Sequence, residues 1–159
     1  LPDDDAQAEM YLFACEKLKE YGYHQYEISN FAKEGFESRH NLKYWNDEEY
    51  LGLGPSAHSF IDGKRFYFPP SIEDFMNDVC IQDDNGGSEE EYIMLRLRLA
   101  NGINNDEYKE RFGHNIPDKY FSNAKKFLDT DYVVVDDNSI RLTTNGFIVS
   151  NAIISEILS

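Results

Sequence analysis

The sequence predicts an α/β fragment followed by a small α+β, winged-helix-like C-terminal unit. Three observations carry this reading. Residues 3–28 run helix, glycine stop and short strand, which is half of a βα repeat. From Ser88 onward, caps, glycine stops and apolar stripes mark three short helices in succession. Two strand-like runs around a DDNS turn and a final amphipathic segment then close the chain.

Each element has a local cause. Asp3, Asp4 and Asp5 supply an N-cap and complement the dipole of a helix over 3–22. Met10, Phe13, Ala14, Leu18 and Tyr21 form its expected apolar stripe, and Gly22 stops it. A strand over Tyr23–Ile28 follows. Residues 29–50 read as irregular and polar, but hold Phe31, Phe36, Tyr44, Trp45 and Tyr50. Leu51–Phe60 reads as a short buried strand with a glycine-containing turn, Asp62-Gly63 as a turn, and Phe66–Phe68 as a strand ended by Pro69-Pro70. Ser71 caps a helix to Ile81 with Ile72, Phe75, Met76 and Val79 on one face, and residues 82–87 are the expected linker. Ser88 and Glu91 form a capping box for helix 89–100, whose inner face is Ile93, Leu97 and Ala100. Asn105 caps a second helix with Tyr108 and Phe112 inward and Gly113 as its stop. Pro117 opens a third, carrying Tyr120, Phe121, Ala124, Phe127 and Leu128. Tyr132–Val135 and Ile140–Thr143 form a hairpin, and the last helix runs 144–158 with Phe147, Asn151, Ile154 and Leu158 in register.

Composition limits the function classes. The 159 residues, 41% hydrophobic and 28% charged, describe a globular chain of one domain or two small ones. The net charge of −15 argues against a nucleic-acid backbone binder and against a polybasic grip on lipid. Residues 1–87 carry 18 acidic against 7 basic side chains, and residues 88–159 carry 12 against 8, so the winged-helix-like part also lacks the charge of a DNA reader. No apolar run is long enough to span a bilayer, and no signal peptide opens the chain. Two cysteines, Cys15 and Cys80, are too few for a disulfide framework or a zinc ribbon, so a reducing cytoplasm is expected and both read as small buried residues. The chain begins at Leu1 rather than Met, which leaves room for motifs upstream.

The candidate sites are few. His24, His40, His58 and His114 show no metal-ligand spacing with one another or with cysteine. His24 and His114 read as ordinary surface or packed histidines. His40 lies in Ser38–Trp45 (SRHNLKYW), where an imidazole, Tyr44, Trp45 and the cations Arg39 and Lys43 could meet a haem. The same residues also suit an aromatic loop over a core, and both readings stand. Gly52–Ser59 (GLGPSAHS) is either a place for a ligand to approach the backbone or a tight packing turn; it is neither a dinucleotide fingerprint nor a P-loop. Glu27 and Asn30 flank the end of the first strand and would face either a pocket or solvent.

Four segments, taken in order, carry a resemblance: Tyr26–Ala32 (YEISNFA), Ser38–Trp45, Leu51–Phe60 (LGLGPSAHSF) and Ile140–Asn151 (IRLTTNGFIVSN). They resemble the C-terminal part of radical-SAM proteins related to oxygen-independent coproporphyrinogen III oxidase, and most closely the haem-chaperone (HemW) branch. The resemblance implies that residues 1–70 are the last units of a partial parallel β/α barrel, 71–87 a helix and linker, and 88–159 a C-terminal helical domain with a hairpin. It implies haem as the ligand of His40, Asn41, Tyr44 and Trp45, with His40 as a possible iron ligand. It places Gly52, Gly54, Ala57 and His58 on the S-adenosyl-L-methionine side of the barrel; many members carry Gly where Ser56 stands here. S-adenosyl-L-methionine and a 4Fe-4S cluster would belong only to a full-length parent, because Cys15 and Cys80 cannot form the family's Cys-x3-Cys-x2-Cys motif. No catalytic residue is expected in this chain, which should do no radical chemistry alone. The expected function is haem binding and transfer to acceptor proteins in the cytoplasm. The alternatives are a parent that decarboxylates two propionates of coproporphyrinogen III to vinyls, and a stand-alone winged-helix-like interaction module.

Overall fold

A computed structural model describes residues 2–159. The helices are α1 (Asp4–Glu20), α2 (Arg39–Trp45), α3 (Ile72–Met76), α4 (Glu89–Arg96), α5 (Asn105–Phe112), α6 (Asp118–Ala124), α7 (Thr144–Ile148) and α8 (Ser150–Leu158). The strands are β1 (His24–Glu27), β2 (Asn30–Ala32), β3 (His58–Ile61), β4 (Lys64–Tyr67), β5 (Ile81–Asn85), β6 (Ile103–Asn104), β7 (Val133–Val135) and β8 (Ser139–Leu142). They assemble into two compact units. One runs to Ser38 and resumes over Arg96–Ser159; the other is Arg39–Leu95.

In the first unit, Asp3 caps α1 by accepting the Ala6 N–H at 2.9 Å. The helix forms where expected, but its inner face differs. Met10, Phe13 and Tyr21 are exposed, while Tyr11, Leu12, Cys15 and Leu18 are half-buried. The stripe is rotated because α1 packs on β1 and α7 through the Tyr11–Cys15–Leu18 edge. β1 and β2 are antiparallel, joined by Ile28 and Ser29. Residues 98–100 line the other edge of β1: Ile28 N–H bonds Arg98 C=O at 2.9 Å and Ala100 N–H bonds Tyr26 C=O at 3.0 Å.

The rest of this unit is built on one core. Ile103, Tyr108, Leu97, Ile140, Leu142 and Ile157 are essentially inaccessible. β6, β8 and β7 form an antiparallel sheet in that order, with β6, which the sequence reading missed, paired to the hairpin. Asn104 rather than Asn105 caps α5, because Asn105 is already the first helical residue; the Asn104 Oδ1 accepts the Glu107 N–H at 2.9 Å. Gly113 stops α5 at φ +82°, as its position foretold. The last helix is broken at Val149 into α7 and α8, so Ile153, Ile154 and Ile157 point inward while Asn151 is exposed.

In the second unit, β3, β4 and β5 form an antiparallel sheet in sequence order. Asp62 and Gly63 join β3 to β4 with φ of +51° and +71°, the signs a type I′ hairpin turn requires. Several expectations change here. The irregular stretch contains α2. Residues 51–57 are not a strand; only Tyr50 bridges to Phe60. The helix begun at Ser71 stops at Met76, before Asp78 at φ +55°, and the expected linker forms the exposed edge strand β5. Its polar sequence, Ile81–Asn85, is ordered by pairing with β4 alone. Ile72, Met76 and Cys80 are consequently exposed, and Cys80 is not the small buried residue expected.

All strand pairing among the described residues is antiparallel. The hairpin loops after β1 and β3 are too short for the crossover a parallel pair needs. Among the described residues no helix is long and apolar enough to cross a membrane.

Tyr11 yields a pH prediction. Its hydroxyl donates to Ile28 C=O at 2.9 Å and accepts from Gln25. Burial pushes its pKa from 10.0 up to about 12, against the lowering effect of the Gln25 hydrogen bond. Between these values the folded chain keeps a proton that the unfolded chain has lost, so stability falls as pH rises. Denaturant midpoints should decline from pH 10 toward pH 12, and Tyr11→Phe should remove part of that slope.

Candidate functional site

The site is built on α2. At 3.6 residues per turn, positions four apart share a face, so His40 and Tyr44 stand on one stripe and Asn41 and Trp45 on the next. His40 Nε2 and the Tyr44 hydroxyl share a hydrogen bond of 3.1 Å, and their rings meet edge-on with centroids 4.9 Å apart. His40 is exposed and Tyr44 half-buried. Trp45 Nε1 is buried. Arg39 and Lys43, also four apart, are exposed on the same short helix, with Lys43 Nζ 3.9 Å from Glu48.

Behind α2 stands a network the sequence reading missed. The Tyr44 ring packs against Tyr50 at 4.5 Å and 70°. Arg65 Nη1 donates to the Tyr50 hydroxyl at 3.3 Å. Arg65 Nη2 reaches Glu91 at 2.6 Å and Asp47 at 3.4 Å, and the guanidinium lies 4.7 Å from the centre of the Phe60 ring. The Asp47 side chain is wholly inaccessible. Glu91 also accepts the Gly87 N–H at 2.9 Å. This network ties the residues just after α2 to β4 and to the start of α4. The i, i+4 spacing of His40 and Tyr44 was visible once 39–45 is read as a helix; the roles of Tyr50 and Arg65 are not local and had no sequence signal.

The glycine-containing turn has a packing cause at its first glycine. A Cβ on Gly52 would lie 2.2 Å from His58 C=O, so the backbone needs that position bare. Gly54, at φ +118°, faces open space, and Ser56 sits at φ +63°, where glycine is unstrained. Ala57 C=O accepts the Phe68 N–H at 3.0 Å, and exposed His58 stacks on Tyr67 at 5.0 Å and 22°.

The other candidates resolve plainly. Glu27 is fully buried; one oxygen accepts from Asn30 and the other has no partner, while Asn30 is exposed. A cavity of about 600 Å³ beside them is lined by Ile28, Ser29, Asp4, Asp5 and Phe147 instead. His24 pairs with Glu37 at 2.9 Å, and His114 bonds Asn115 C=O at 2.9 Å. Both cysteines are free thiols, and burial pushes the Cys15 thiol pKa up. No cluster of three His, Cys, Asp or Glu among the described residues is arranged for a metal ion.

Comparison with known proteins shows what this chain is similar to. Residues 90–149 match the family HemN C-terminal domain. Over 99% of its length the chain is 31% identical to the Heme chaperone HemW of Bacillus subtilis (strain 168), of which it covers 44%. Over its whole length the chain is therefore similar to HemW, without covering most of that relative. It is also 28% identical, over 99% of its length, to the mitochondrial Radical S-adenosyl methionine domain-containing protein 1 of Danio rerio, covering 40% of that protein. Its fold matches that of the coproporphyrinogen III oxidase (HemN) of Escherichia coli, a radical SAM enzyme, with a TM-score of 0.68 at 17% identity, over 99% of this chain and 42% of that one. The chain thus spans less than half the length of these relatives.

The α2 surface fits a haem by its donor chemistry. An exposed imidazole and a phenol hydroxyl are both iron donors, and flanking cations suit propionates. A 4Fe-4S cluster does not fit, because the chain offers only Cys15 and Cys80 as thiolates.

Proposed function

We propose that this HemW-like chain carries the haem-holding element of a cytoplasmic haem chaperone, which binds haem and passes it to acceptor proteins. The observation that supports the reading is the His40–Tyr44 donor pair on one stripe of α2, with His40 exposed and Tyr44 half-buried and backed by Tyr50 and Arg65. The pair would offer the iron donor, Asn41 and Trp45 on the neighbouring stripe would be further contacts, and the exposed Arg39 and Lys43 would meet the propionates. Haem held at an exposed helix face stays within reach of an acceptor, which suits transfer rather than permanent storage. The relatives named Heme chaperone HemW support this reading. Gly52, Gly54, Ala57 and His58 are assigned to the S-adenosyl-L-methionine side of a longer parent, where a cluster bound by residues outside this chain would supply radical chemistry. Decarboxylation of coproporphyrinogen III is the second reading and needs those same outside residues.

Transfer is the test. The chain, loaded with one equivalent of haemin, is mixed with a tagged, haem-free b-type cytochrome and the two are separated. Haem should appear in the cytochrome fraction with its native spectrum. Haem that remains on the chain at equilibrium, with cytochrome in excess and competent for free haemin, contradicts the transfer role.

A further inference from the structure

The motif on α2 points first to His40 as the iron ligand, but the geometry of the pair favours its partner. We propose that Tyr44 Oη is the atom that bonds ferric haem iron, with His40 Nε2 receiving the hydroxyl proton. This rests on the haem reading above and assigns the roles within it.

The argument starts from the 3.1 Å hydrogen bond between Tyr44 Oη and His40 Nε2. Nε2 is the imidazole nitrogen farthest from the backbone and the natural ligand atom. Here it is already engaged, so bonding iron through it breaks the contact. Bonding through Oη keeps it. With the imidazole in the tautomer that carries its proton on Nδ1, the O–H bond would break, the proton would pass to Nε2, and the freed electron pair on Oη would form the bond to iron. No oxidation state changes, and an N–H to phenolate hydrogen bond takes the place of the contact, whose donor in the haem-free chain is set by the imidazole tautomer. The new hydrogen bond is charge-assisted and therefore the stronger of the two.

Two further observations agree. Tyr44 is the better-held side chain: half-buried, with the Tyr50 ring at 4.5 Å and Tyr50 itself held by Arg65 at 3.3 Å. His40 is exposed. Ferric iron is also a hard cation, for which a phenolate oxygen is an established haem ligand.

The experiment compares the chain with Tyr44→Phe and His40→Ala by haemin titration and by resonance Raman spectroscopy of the ferric complexes. A haem-free readout is added: the imidazole nitrogen resonances of His40 by NMR. The chain should show iron–phenolate bands. Tyr44→Phe should lose them, with affinity falling about tenfold or more. His40→Ala should keep the bands with weaker binding. In the haem-free chain, Tyr44→Phe should shift the His40 Nε2 resonance. Saturable binding without phenolate bands, or Tyr44→Phe matching the parent spectrum while His40→Ala abolishes binding, overturns the Tyr44 assignment and leaves the α2 reading standing. An unmoved Nε2 resonance also overturns the assignment. Absence of saturable binding by the folded parent chain overturns both.

Discussion

Arg65→Met should lower the stability of the chain by about 3 kcal/mol, the scale for breaking a buried ion pair from one side. The guanidinium faces the inaccessible Asp47 carboxylate and the partly buried Glu91, and it also spans Tyr50 and Phe60. Met retains much of the apolar stem, so the loss reports the charge rather than packing. Pairing the change with Asp47→Asn should recover part of the stability, because a neutral amide does not need the cation that Arg65→Met removes. Urea unfolding of both variants measures this. A loss below about 0.5 kcal/mol for Arg65→Met would mean that the network behaves as an exposed ion pair.

Gly102→Ala should cost about 3–4 kcal/mol, combining left-handed backbone strain with overpacking. Gly102 sits at φ +64°, and a Cβ there would lie 2.2 Å from Ile140 C=O and 2.6 Å from Arg141 Cβ. The first contact is backbone, so no rotamer change relieves it. Gly102 C=O also accepts from Arg96 Nε at 3.1 Å, and Ile103 pairs with Ile140 in the next residue of β6. A shift of this turn therefore disturbs the β6–β8 pairing. Gly113→Ala is the control: it has φ +82° but nothing within 4 Å of its Cβ, so it should lose only the strain component. Thermal or denaturant unfolding of the two variants separates the terms. Equal losses would show that the close approach at Gly102 relaxes freely.

Features set within a few residues were legible in the sequence. Asp3 as a cap, Gly113 as a stop, Asp62-Gly63 as a turn and the β7–β8 hairpin each follow from the conformations their own residues favour. Ser88 is a partial case. It caps through its Oγ, which accepts the Glu91 N–H at 3.1 Å, but the Glu91 carboxylate goes to Arg65 and Gly87. The capping box was a sound local reading, and a tertiary partner redirected half of it.

What was not legible depends on distant partners. β5 is polar and becomes a strand only because β4 offers an edge; β6 is two residues long and is set by β8. α2 has no apolar stripe of core residues, and its aromatic side chains suggested a loop until His40 and Tyr44 were placed on one face. The inner face of α1 is chosen by β1 and α7, not by the largest apolar side chains on the helix. At the site, the motif residues could be named from sequence, but the Tyr50–Arg65–Asp47 support spans positions brought together only by folding.

The central claim is that the His40–Tyr44 face of α2 binds haem. Its most direct measurement is a haemin titration followed through the Soret band, comparing the chain with the double variant His40→Ala, Tyr44→Phe, with circular dichroism confirming that both are folded. The account predicts saturable one-to-one binding by the chain and its loss in the double variant. Equal affinity in the two, or no saturable binding by the folded chain, would contradict it.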